Sequence, residues 1–235
     1  MTTLGKILIV AAYCVYAAFW IRFFAHVLVW WRAARRLSAS APVPLPRSRV
    51  KACALTAADV FFFGRLLVVN PALWLGEWVF HVSFLLVLLR HLRYFLDPVP
   101  AWVWSIQFAG TIAGYVLLCS LVYILVIRLF TAMEKYASRA NMFLLGLVLV
   151  ISSIGVIMHA WLTPNLLDVK LFARGFLCFN PAPAPESLLF MMHFILVLIL
   201  VPFLPTHIFT APLVMMEARK REQALHLVMH DPGER

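Results

Sequence analysis

An all-α bundle of five membrane-spanning helices is the fold class this sequence predicts, and three observations predict it. Apolar runs at 4–31, 71–95, 101–127, 142–162 and 187–210 each approach or exceed the roughly 20 residues that cross a hydrocarbon core. The composition agrees: 64% of residues are hydrophobic and 13% charged, with a mean hydropathy of +0.93, against roughly 25% charged in soluble domains. Basic residues also gather at alternate connections. Arg32, Arg35, Arg36, Arg47, Arg49 and Lys51 follow the first run, Arg128, Lys135 and Arg139 the third, and Arg219, Lys220 and Arg221 the fifth. The other two connections hold only Arg93, and Lys170 with Arg174. The positive-inside rule then puts the N-terminus outside and the C-terminus in the cytoplasm, with residues 1–235 as one domain of the cytoplasmic membrane. The formal charge of +10 is thereby assigned to topology, and a nucleic-acid partner is excluded.

The first run begins too near the N-terminus and is too long for a cleaved signal peptide, so it is expected to remain as a span ending at Trp30, Trp31 and Arg32. His26, about a turn inside that end, is expected to be a polar group near the headgroups, or one hydrogen-bonded to a neighbouring helix, rather than a ligand. The proline-rich stretch 38–46 cannot be helical throughout. Residues 52–69 read as a short oily helix at the cytoplasmic surface, suited to membrane anchoring or to docking a partner. Asn70 and Pro71 form a helix start, and Asp97, Pro98 and Pro100 end the second span. In the third, Gly110 and Gly114 have the spacing that allows close helix approach. Residues 163–186, with four prolines, form the longest outer loop. The fifth span carries Pro202 and Pro205, which bend it, and a charged tail follows from Met215. Cys14, Cys53, Cys119 and Cys178 are scattered without a C-x-x-C or C-x-x-C-H pattern. Neither a cysteine-held cluster nor covalent haem attachment is expected, nor a disulfide; Cys14 and Cys119 are expected to pack as small apolar side chains.

The chemistry lies in four histidines. His81 and His91 are ten residues apart in the second span, about 15 Å along the axis, and His193 and His207 are fourteen apart in the fifth. Imidazoles are costly inside a bilayer unless they are used or partnered. Because the two spans run in opposite directions, equal depth pairs His81 with His207 and His91 with His193. Two such pairs are what two stacked haem b groups need as axial ligands of their iron. No phosphate loop, serine nucleophile or carboxylate pair is present, so no catalytic residue of group transfer is expected.

With these features the chain resembles the membrane cytochrome b subunits similar to the gamma subunit of respiratory nitrate reductase. The resemblance runs over nearly the whole chain, through the five spans, the F-H-x9-H at Phe80 to His91, and the H-I-F-T-A-P at His207 to Pro212. The H-L-R-Y-F-L-D-P-V-P stretch from His91 brings it nearer to the heterodisulfide-reductase-like and sulfate-reducer redox complexes than to nitrate reductase, whose gap before the last histidine is longer. It implies haem b at His81/His207 and at His91/His193, a quinol site, menaquinone in kind, by the outer haem, and a cytoplasmic iron-sulfur subunit exchanging electrons with the inner one. An outer multihaem cytochrome c is the other donor class. The lysine that nitrate reductase members carry early in the third span is absent here, and Arg90, Arg93, Gln107 and His159 are the polar groups near that place. Arg65, Arg90 and Arg93 are candidates for haem propionates as well as for snorkelling to the headgroups. Two readings of other classes compete: a proton or ion translocator whose histidines titrate in a pathway, and a non-redox anchor for a cytoplasmic assembly.

Overall fold

The computed structural model describes residues 3–40, 49–130 and 139–206; His207 and the tail from Met215 lie outside them. Nine α-helices and no strand occur among the described residues. Five segments are long and apolar enough to cross a membrane: Gly5–Arg32, Pro71–Tyr94, Gln107–Phe130, Arg139–Ala160 and Leu188–Thr206. The protein is a multi-pass membrane protein. Its spans carry large apolar side chains outward, such as Phe108 and Phe130, and lipid is the solvent in which such a surface is stable. Cys14 and Cys119 belong to this exposed surface rather than to the packed interior expected for them.

Two compact units divide the chain: Met1–Val15 with Asn70–Leu200, and Tyr16–Val69 with Val201–Arg235. The first unit holds helices α4 (Pro71–His91), α5 (Ala101–Ser105), α6 (Gln107–Phe130), α7 (Arg139–Ala160), α8 (Leu166–Leu177) and α9 (Leu188–Leu200). The second contains most of α1 (Thr3–Ser40), with α2 (Arg49–Phe61) and α3 (Gly64–Val69).

Helix α4 starts where the sequence says it should. The Asn70 side chain accepts from the Leu73 amide at 3.0 Å, and Pro71 occupies the first helical turn, where its missing N–H costs nothing. Its helix packs chiefly on α6, α6 on α7, and α7 on α9. Close approach of α4 and α6 rests on one glycine from each. A β-carbon on Gly76 would lie 2.8 Å from Ile124 and Tyr123 atoms, and one on Gly110 would lie 2.7 Å from the Arg90 β-carbon. Gly114 has open space where a β-carbon would be, so only the first half of the predicted glycine pair serves packing.

Three expected elements are redrawn. The third span is broken: α5 ends at Ser105, and the span proper begins at Gln107. The oily helix at 52–69 is two helices, parted at Phe63, which adopts a positive φ of 50° just before Gly64. The loop expected at 163–186 contains α8, whose cap Asn165 accepts from the Leu167 amide at 3.0 Å. The chain doubles back over Gly175, where a β-carbon would meet the Asn180 carbonyl oxygen at 2.6 Å. Tyr13 stacks on Phe176 and Phe179 and donates its hydroxyl to the Phe176 carbonyl at 3.1 Å.

Candidate functional site

Three of the four predicted ligands are described, and each ring is held by its Nδ1. His81 donates to the Glu77 carbonyl and His91 to the Val87 carbonyl, both at 2.7 Å and both one turn back on α4. His193 of α9 donates to the Ile151 carbonyl of α7 at 3.2 Å. A carbonyl oxygen only accepts, so in each neutral ring Nδ1 carries the proton and Nε2 is the accepting nitrogen. Rings fixed in this tautomer by a carbonyl are suited to bind a metal through Nε2. The residues present therefore fit axial ligation of haem iron.

His91 and His193 come within electrostatic reach of each other, whereas His207, the expected counterpart of His81, lies outside the described residues. Gly155, one turn beyond Ile151 on α7, faces the His193 ring; a β-carbon there would lie 3.4 Å from its Cε1. His26 shares a 3.2 Å hydrogen bond with the Thr206 hydroxyl, so it has the structural partner expected of it.

The four polar residues singled out around the missing lysine come together. Gln107 Oε1 accepts from Arg93 Nη1 at 2.9 Å and from Arg90 Nε at 3.4 Å, while its amide nitrogen donates to the Val103 carbonyl at 2.9 Å. Arg93 also reaches the Tyr94 hydroxyl, and its own Nε is buried without a partner among the described residues. On the flank of this cluster the exposed rings of Tyr115 and His159 lie 6.5 Å apart, centroid to centroid, with His159 within reach of both guanidinium charges. Ile151, Gly155 and His159 are four residues apart in turn, so one stripe of α7 carries the acceptor for His193, the gap beside its ring, and the His159 imidazole. About 6 Å of helix rise separates Gly155 from His159.

The sequence reading missed Gly155, Tyr115 and the ion pair between Glu77 and Arg128. The pair had a signal: Glu77 is the one acid in 71–95 and lies four residues before His81. Gly155 and Tyr115 had none, since only packing shows which faces of α6 and α7 meet the histidine-bearing helices.

No family model matches the chain. It is 31% identical over 150 residues to the Hdr-like menaquinol oxidoreductase cytochrome b-like subunit of Archaeoglobus profundus, a match covering 57% of this chain and 44% of that protein. The protein of the same description from Archaeoglobus fulgidus is 32% identical over 149 residues, covering 57% of this chain and 45% of the relative. The chain thus spans less than half the length of these curated relatives. The similarity agrees with the heterodisulfide-reductase-like branch of membrane cytochromes b that the histidine motifs resemble.

Proposed function

We propose that this protein is a di-haem b cytochrome subunit that carries electrons between a menaquinol pool and an iron-sulfur partner on the cytoplasmic side. The observation that carries the reading is the common Nδ1 tautomer of His81, His91 and His193, each set by a backbone carbonyl. The relatives' printed description, a menaquinol oxidoreductase subunit, supports the quinol end of the route. His91 and His193 hold one haem, and His81 with His207 the other, a pairing that rests on sequence spacing and helix direction. Haem b, when bound, supplies a one-electron carrier at each level. The protein's part is to fix ring orientation, exclude water by its apolar spans, and hold the quinol against the outer haem.

The quinol site is the cluster of Arg90, Arg93, Gln107, Tyr115 and His159. Guanidinium and amide donors suit the oxygens of a quinol head. Exposure of Tyr115 and His159 toward lipid gives a hydrophobic substrate a lateral way in; as the quinol gives two electrons, one at a time, to the haem route, His159 takes up one of its two protons and the other leaves to water on the same side. Electrons moving inward against a negative interior cost about 2.3 kcal/mol per 100 mV, which couples the transfer to the membrane potential.

The test is a reduced-minus-oxidised spectrum with haem quantification on purified, cofactor-replete protein and on His81→Ala, His91→Ala, His193→Ala and His207→Ala. Two b haems are expected, with His91→Ala and His193→Ala depleting the same one. Properly folded protein without haem would return the histidines to proton transfer or packing.

A further inference from the structure

Glu77 and Arg128 place an ion pair within two membrane spans. The Arg128 Nη2 donates to Glu77 Oε1 at 2.7 Å, and each side chain is only 16% exposed. Charges are expensive at such positions, and joining α4 to α6 does not require them, because the Gly76 contact with Ile124 and Tyr123 already brings those helices together. Two details connect the pair to the chemistry. The backbone carbonyl of Glu77 is the acceptor that fixes the His81 ring. Arg128, with Nη2 engaged by Glu77, keeps a buried Nε that has no partner among the described residues. A guanidinium presents five donors in a planar fork, and one carboxylate on its Nη2 leaves the Nε edge open to a second.

We infer that Arg128 binds a carboxylate of the group held at His81, a haem propionate in chemical class, and that the Glu77–Arg128 pair sets the reduction potential of that haem. The inference rests on the haem reading above. Reduction is the gain of one electron by ferric iron from the redox partner at the other haem level, with no proton or bond exchanged. It adds one negative charge, which the carboxylate of Glu77 opposes and the guanidinium of Arg128 favours. The two substitutions must therefore act in opposite directions, whereas a mere clamp between α4 and α6 would be loosened by either.

The experiment is a redox titration followed in the haem absorption bands, with haem quantification, on the purified haem-replete protein and on Glu77→Gln, Arg128→Gln and Arg128→Lys; His81→Ala identifies which band belongs to the His81 haem. Glu77→Gln is expected to favour the reduced form of that haem about tenfold, roughly +59 mV for one electron. Arg128→Gln should disfavour it by a similar factor and lower retention of the same haem. Arg128→Lys, which keeps the charge and loses the fork, should fall between wild type and Arg128→Gln. The other haem should not move. Shifts of the same sign in Glu77→Gln and Arg128→Gln, equal movement of both haems, or no shift would overturn the inference while leaving the haem reading intact. Should Arg128→Gln fail to fold, Glu77→Gln and Arg128→Lys decide between the same outcomes. Absence of haem from the wild-type protein would overturn both.

Discussion

The Nδ1 hydrogen of His193 goes to a carbonyl on another helix, while those of His81 and His91 go to their own. His193 therefore depends on the position of α7, and Gly155 is where that dependence is sharpest. Gly155→Ala brings a methyl to about the edge of ordinary contact with the ring and should leave haem content near wild type. Gly155→Leu should displace the ring and deplete the His91/His193 haem, read as loss of half the reduced-minus-oxidised signal. At the proposed quinol cluster, His159→Gln keeps a hydrogen-bonding side chain but removes the titratable ring. We expect it to slow reduction of the outer haem by a menaquinol analogue roughly tenfold or more, the lower part of what a positioned acid-base group contributes, with both haems still bound. Stopped-flow reduction measures this; an unchanged rate would take His159 out of the proton route.

At the scale of elements, the α4–α6 contact is a close-packed part of the unit that holds His81, His91 and His193. Gly110→Ala puts a β-carbon 2.7 Å from that of Arg90, an atom that cannot swing aside, so the helices must part. Overpacking of this kind costs about 1–3 kcal/mol, and a thermal melt in detergent should show it, together with a disturbed Arg90–Gln107 bond. Helix α8 is tied differently, through Asp97, which accepts from Lys170 at 3.2 Å and from Arg174. The hydrogen bond from Lys170 and the charge of Arg174 hold the Asp97 carboxyl below the usual aspartate range. A depressed folded-state value means that the tie contributes above the ordinary aspartate range and is lost as pH falls through the lowered value. The carboxylate is exposed, so the contribution is small and screened by salt. Amide exchange over 166–177 should rise at low pH, at high salt and in Asp97→Asn, and an exchange rate indifferent to all three would remove the tie. Helix α8 itself was hidden in the sequence because four prolines in 163–186 read as loop, although three of them follow the helix and the other precedes its cap.

For the whole molecule, orientation is open to a direct check. With the N-terminus outside, Cys178, an exposed free thiol beyond α8, should react with a membrane-impermeant maleimide in intact cells. Protection until the membrane is permeabilised would invert the topology. Haem binding to the folded state alone should also raise the melting temperature with haem occupancy, as any ligand selective for the native state does. The sequence by itself determined the five spans, the Asn70–Pro71 start of α4 and the spacing of the histidines. These follow from length against bilayer thickness, from local capping chemistry and from helical rise, none of which needs a neighbour. The tertiary structure decided which carbonyl each of the three described rings addresses, that Gly155 faces a partner's ring while Gly114 faces open space, that Arg90, Arg93, Gln107 and His159 form one cluster, and that Arg128 meets Glu77. In spans apolar on every side, hydropathy marks no buried face, because lipid and helix interior are equally oily; only the packing of one helix on another distinguishes them.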